Sequence, residues 1–224
     1  MTLAAVLFDM DGTLVDTEKV WDVALRELAG RYGGTLSDSA RTAMLGASTE
    51  LTMRLLSEDL GRPDLDPVEG GQWLNDRVLD VFADGVPWRP GAQELIAAVR
   101  AAGVATALVT NTKRAVVDVA LRTLGAANFD ALACSDEVRF TKPHPEHYRH
   151  AAAALGAEPA RCVAIEDSPA GIASARAAGC AVIAIPNEIP LTNADLGVAT
   201  VRSSLLEVDL PLLRGLVGQR PPSH

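Results

Sequence analysis

The sequence predicts an α/β fold: a doubly wound parallel sheet, a Rossmann-like core, with a helical bundle inserted near its start. Three observations carry this. The second half of the chain alternates short apolar runs with helical segments. Those helical segments end on glycine and start on proline or lysine. Between the first apolar run, Ala4-Ala5-Val6-Leu7-Phe8, and that alternating half, residues 16–88 carry helical periodicity and no strand pattern.

The elements follow in order. Ala4–Phe8 reads as a buried strand. The insert shows a helical stripe at Val20, Trp21, Ala24, Leu25 and Leu28. The stripe recurs at Leu51, Leu55 and Leu56, and at Leu74, Val78, Val81 and Phe82. Gly61-Arg62-Pro63 and Glu69-Gly70-Gly71 are expected to be breaks between these helices. Pro90–Ala102 is a helix closed by Gly103, then Val104–Val109 a strand. Lys113–Leu124 is a helix closed by Gly125, and Pro145–Leu155 one closed by Gly156. Cys162–Ile165 is a strand, Pro169–Ala178 a helix closed by Gly179, and Ala181–Ile185 a strand. The tail from Arg220 to His224 is expected to lack fixed structure.

At 224 residues and a net charge of −9, the chain can bury a sizeable core and is a poor match for nucleic acid. No apolar run reaches membrane-spanning length, and the N-terminus lacks a signal-peptide pattern. The three cysteines, Cys134, Cys162 and Cys180, are widely spaced and odd in number, which suits a reducing, cytoplasmic setting without disulfides or zinc. Acidic side chains outnumber basic ones two to one within the insert, as on a solvated face. Only Lys19, Lys113 and Lys142 among the 20 basic residues are lysines, in an alanine-rich chain of the kind a GC-rich genome encodes. A lysine here therefore carries more information than usual.

In open α/β sheets, ligands bind beyond the carboxyl ends of the strands. Those ends carry Asp9 and Asp11, then Thr110 and Asn111, then Glu166 and Asp167. Asp9-Met10-Asp11-Gly12 could open a Ca²⁺ loop, but the twelfth position from Asp9 is Val20 rather than glutamate. Thr110-Asn111 and Asp167-Ser168 can each be read as helix caps. Taken together, the three strand ends bring four carboxylates to one point, which requires a cation, and an all-oxygen set suits Mg²⁺. Lys142, in the Pro-restricted loop Thr141-Lys142-Pro143-His144-Pro145-Glu146, is either a solvated surface cation or the positive charge of that site. His144, His147 and His150 are spaced too widely around one helix to read as a metal site.

The stretch Phe8-Asp-Met-Asp-Gly-Thr-Leu-Val-Asp-Thr-Glu18 resembles the first motif of the haloacid dehalogenase-like hydrolases. Thr110, Lys142 with Pro143 and Pro145-Glu146, and Glu166-Asp167-Ser168-Pro169-Ala170-Gly171 resemble the later motifs, in order. The resemblance covers residues 1–15 and roughly 89–190; the insert matches a four-helix cap of one subgroup in position and length.

The resemblance implies a core domain of residues 1–15 and 89–224 and a helical cap of residues 16–88. It implies a Mg²⁺-dependent phosphatase acting on a small phosphorylated metabolite, a sugar or polyol phosphate, in a monomer or weak homodimer. Asp9 is then the nucleophile, forming an aspartyl-phosphate, and Asp11 the general acid/base. Thr110, the Asn111 N–H and Lys142 bind the phosphate, and Asp9, the Asp11 carbonyl and Asp167 hold the metal. Glu166 is left open as a ligand or a neighbouring acceptor. Asp16-Thr17-Glu18-x-x-Trp21-Asp22 resembles the cap entrance of sugar- and hexitol-phosphate phosphatases, although Trp21 also reads as a packing residue. A phosphosugar mutase of β-phosphoglucomutase type is the alternative. That subgroup carries histidine where Trp21 stands and arginine at the end of the turn occupied here by Gly46-Ala47-Ser48-Thr49. A non-catalytic phosphometabolite-binding protein is the second alternative.

Overall fold

The computed structural model describes residues 2–83, 85–187 and 191–217; the tail from Arg220 to His224 lies outside them. Among the described residues, six strands form one parallel sheet. They are β1 (Ala5–Phe8), β2 (Ala105–Val109), β3 (Ala131–Ala133), β4 (Cys162–Glu166), β5 (Ala181–Ala184) and β6 (Thr200–Val201). Their order is β3-β2-β1-β4-β5-β6. Connections leave β1 in one direction and β4 in the other, so a crevice opens beyond the adjacent ends of these two strands. Phe8 pairs in register with Leu108 on one side and Ile165 on the other, which brings Asp9, the Thr110 loop and Glu166 to the same edge.

Four helices separate β1 from β2: α1 (Glu18–Arg31), α2 (Asp38–Ala43), α3 (Thr49–Leu60) and α4 (Pro67–Phe82). Then come α5 (Ala92–Ala101), α6 (Arg114–Leu124), α7 (Glu146–Ala154), α8 (Pro169–Ala178), α9 (Asn193–Leu196) and α10 (Leu210–Leu216). The central strands are buried on both faces. Val6 and Phe8 join a core with α5, α6 and the insert helices, whereas Ala5 and Leu7 pack with Tyr148 of α7 and Ile172 of α8. The chain enters and leaves the insert side by side: the Asp16 N–H donates to the Pro87 carbonyl at 2.8 Å, and the Arg89 N–H to the Leu14 carbonyl at 2.8 Å. No helix among the described residues is long and apolar enough to cross a membrane.

Two expectations change. Gly61 does close α3 in the left-handed conformation, but Glu69-Gly70-Gly71 is no break. Both glycines lie buried inside α4. A Cβ on Gly70 would stand 2.4 Å from the Met53 methyl and 2.5 Å from the Tyr32 hydroxyl, and one on Gly71 would stand 2.9 Å from the Thr49 methyl. These residues are glycine because neighbouring helices approach closely, not because the chain turns. The second change is at the edges: β3, β6, α9 and α10 are elements that the apolar periodicity did not reveal. Both strands are short, and β3 is half-buried for most of its length.

Candidate active site

β1 delivers Asp9, and a tight turn follows at once. The N–H groups of Thr13, Leu14 and Val15 all reach the Met10 carbonyl, and Gly12 takes φ +80°. A Cβ on Gly12 would stand 2.0 Å from Asp167 Oδ2. The turn thus needs glycine twice over, for its backbone angle and for the approach of Asp167.

Lys142 is buried in the centre of the site with all its donors engaged. Its Nζ lies 2.7 Å from Asp9 Oδ1, 2.6 Å from Glu166 Oε1 and 2.9 Å from the Val109 carbonyl. The solvated-surface reading of this residue is overturned. Burial opposes the ammonium charge, but Asp9 and Glu166 outweigh it and hold the lysine pKa above its ordinary value. Burial, and then the Glu166 carboxylate, push Asp9 up to about 8 against the pull of Lys142. One ammonium does not neutralise the carboxylates around it, and Asp9 bears the consequence.

Both oxygens of Glu166 are taken. Oε1 accepts from Lys142 and, at 2.6 Å, from the Tyr148 hydroxyl; Oε2 accepts from the Ser168 N–H at 3.4 Å and its hydroxyl at 3.1 Å. Gly171 makes this possible, since any Cβ there would fall within 2.0 Å of the Glu166 carboxyl atoms. The cap of α8 is Ser168, whose Oγ accepts from the Gly171 N–H at 3.0 Å, and not Asp167. Thr110 and Asn111 are not caps of α6 either; Lys113 occupies that position without a side-chain bond. Asn111 instead ties three segments together. Its amide donates to the Gly46 carbonyl at 2.8 Å and to the Lys142 carbonyl at 3.5 Å, and its Oδ1 accepts from the Lys142 N–H at 3.0 Å.

Asp11 points toward the insert. Its Oδ1 accepts from the Thr17 hydroxyl at 2.6 Å and the Trp21 indole at 3.0 Å; its Oδ2 accepts from the hydroxyls of Thr112 at 2.8 Å and Thr110 at 3.3 Å. The Thr110 hydroxyl is thus turned to Asp11 and also accepts from the Thr112 N–H at 3.0 Å.

Asp9, Glu166 and Asp167 bring carboxylate oxygens within 4.8 Å of one another. Asp9 Oδ2 is buried without a hydrogen-bond partner. Among the described residues no donor reaches the Asp11 carbonyl either. An orphaned carboxylate oxygen beside a second carboxylate and a bare carbonyl is a donor set that fits a hard divalent cation. The site opens into a narrow cleft of about 50 Å³. Trp21 and Leu25 of α1, Arg41 of α2, Met44, Thr49 and Thr52, and Leu74 of α4 line its far wall.

Thr112, Tyr148 and Arg41 are not among the residues the sequence points to, and Thr17 enters there only as part of the Asp16–Asp22 stretch. Thr112 is one step beyond the loop already singled out, and Tyr148 lies on the buried face of α7. Arg41 has no distinguishing signal in a chain so rich in arginine. The three histidines separate by position and burial: His144 lies in the loop before α7 and is exposed, and within α7 His147 is buried while His150 faces solvent. Burial, with Lys142 nearby, pushes His147 down to about 3.

A carboxylate with one oxygen pinned and the other bare, beside a buried lysine and a cation-fitting oxygen set, is an arrangement chemically able to carry phosphoryl transfer. The chain belongs to the haloacid dehalogenase-like hydrolases, whose family model matches residues 3–179. It is 36% identical over 198 residues to protein CbbY of Rhodobacter capsulatus, covering 84% of this chain and 87% of that one. It is 34% identical over 179 residues to the fructose-1-phosphate phosphatase YqaB of Escherichia coli, covering 79% and 93%. CbbY of Rhodobacter sphaeroides in complex with xylulose-(1,5)bisphosphate superposes with a TM-score of 0.84 at 28% identity, covering 95% of this chain and 99% of that one.

Proposed function

We propose that this protein is a Mg²⁺-dependent phosphatase that hydrolyses a small sugar or polyol phosphate through an aspartyl-phosphate on Asp9. The observation that carries the reading is Asp9 itself, with Oδ1 held by Lys142 and Oδ2 bare and buried at the cleft. Attack by this carboxylate splits one difficult displacement at phosphorus into two easier ones. Asp11 donates a proton to the leaving alcohol and then takes one from the attacking water. Lys142 and the Asn111 N–H, which has no acceptor among the described residues, offset charge on the transferring oxygens. Thr110, from the same loop, would contribute its hydroxyl by exchanging its 3.3 Å bond to Asp11 for one to the phosphate.

Asp9, Asp167 and the Asp11 carbonyl would hold Mg²⁺. When bound, the ion supplies the positive charge that lets a carboxylate and a phosphate dianion meet. Glu166, with four donor groups on its two oxygens, anchors Lys142 and is not counted among the ligands. Residues 16–88 act as a cap over a core of 1–15 and 89–224, hinged where the paired segments at Asp16 and Trp88 cross. The mixed cleft wall, with Arg41 among apolar and hydroxyl side chains, suits a polyhydroxylated body. The names of the relatives support this choice of substrate class. The Gly46–Thr49 turn brings no arginine to the cleft, which favours hydrolysis over a mutase cycle.

The test is hydrolysis of 4-nitrophenyl phosphate and of a panel of sugar and polyol phosphates, with Mg²⁺ and with excess chelator. Turnover is expected with the metal and lost without it, and Asp9→Asn is expected to fall to background while keeping its circular dichroism. Substantial turnover by Asp9→Asn would remove the nucleophile from this account.

A further inference from the structure

The four bonds on Asp11 divide by element. Oδ1 is bound from α1, by Thr17 at its start and Trp21 one turn later; Oδ2 is bound from the loop after β2, by Thr110 and Thr112. Thr17 precedes α1 with near-helical backbone angles and makes no side-chain cap bond; its hydroxyl is committed to Asp11 instead. A cap at that position is ordinarily worth about 1 kcal/mol to a helix. The start of α1 is therefore organised around Asp11 and not around its own free N–H groups. Trp21 lies on the same face of the helix, lines the cleft with its ring and donates its only polar hydrogen to the same oxygen.

We propose that Trp21 is a positioning residue for Asp11. Its N–H holds the carboxyl group toward the leaving-group oxygen while α1 is seated over the strand ends. The inference rests on the phosphatase reading. In the first step the Asp9 carboxylate forms a bond to phosphorus. The bond from phosphorus to the ester oxygen breaks with its electron pair on that oxygen, which takes the Asp11 proton. In the second step water gives a proton to Asp11 and attacks phosphorus, releasing the Asp9 carboxylate. An alkoxide leaves poorly without that first proton. A nitrophenolate leaves without it.

Trp21→Phe tests this, because it keeps a ring in the cleft and removes the N–H. kcat/KM reports the steps through transfer to Asp9, before the shared hydrolysis of the intermediate. The ratio of kcat/KM for a sugar phosphate to that for 4-nitrophenyl phosphate is expected to fall about 10- to 100-fold. Thr17→Val, which removes the other donor to the same oxygen, is expected to lower the same ratio. An unchanged ratio in both variants would overturn the proposal and leave Trp21 as a packing residue of the cleft wall. Should the unaltered enzyme hydrolyse neither ester, it is the phosphatase reading that fails.

Discussion

Lys142 is the residue on which the site depends most directly. Its three contacts, to Asp9, Glu166 and the Val109 carbonyl, use the three donors of an ammonium, and Tyr148 lies beneath it with the ring centroid 5.3 Å from Nζ. Lys142→Ala is expected to lose turnover by at least about a hundredfold. It is also expected to lose roughly 3–5 kcal/mol of stability, because two carboxylates would be left buried without their counter-charge. Lys142→Arg is expected to restore neither in full, since a planar guanidinium cannot reproduce three bonds converging on one atom. Steady-state rates and urea midpoints of the two variants check both statements; a near-normal rate in Lys142→Ala would show that the ammonium serves only to hold the fold. The motif residues at this scale were legible because their order and spacing are distinctive. Their bonding was not: that Glu166 turns to Lys142 and Tyr148 depends on Gly171 leaving room for it.

At the scale of elements, the central strands and their helices could be read because burial on both sheet faces leaves an uninterrupted apolar run. α8 spans Pro169–Ala178, the same bounds that its proline start and glycine stop predict. β3 and β6 escaped because short strands toward the edge carry too few apolar residues to form such a run. Gly70-Gly71 misled for a related reason: a glycine pair marks a turn and a close helix contact equally well in one dimension. The distinction can be measured. Gly30 in α1 has nothing within 4 Å of an added Cβ, so Gly30→Ala is expected to stabilise by about 0.5–1 kcal/mol through helix propensity alone. At Gly70 the same gain is opposed by crowding against Met53 and Tyr32, and Gly70→Ala is expected to destabilise by about 1 kcal/mol net. Chemical denaturation of the two variants should move in opposite directions; a stabilising Gly70→Ala would mean the helices can separate without loss.

For the whole molecule, three carboxylates from two adjacent strands meet in a chain whose net charge is already −9. A cation bound there stabilises the folded state by mass action. At about ten times its Kd the gain is about 1.4 kcal/mol, or roughly 3–6 °C in Tm for a protein of this size. Mg²⁺ is expected to raise Tm by that order, and Asp167→Asn to abolish most of the rise; an equal shift in both proteins would place the ion elsewhere. The class of sheet, the run of helices after the first strand, the family and the residues at the strand ends are all legible along the chain. They are so because strand burial, helix termini and motif spacing are local properties written along it. Tertiary structure alone decided that Lys142 is buried, that Glu166 serves Lys142, that Gly70 and Gly71 lie within a helix, and that Trp21 reaches Asp11. Each of these depends on which surfaces meet when separate elements pack, and no local pattern encodes that distance.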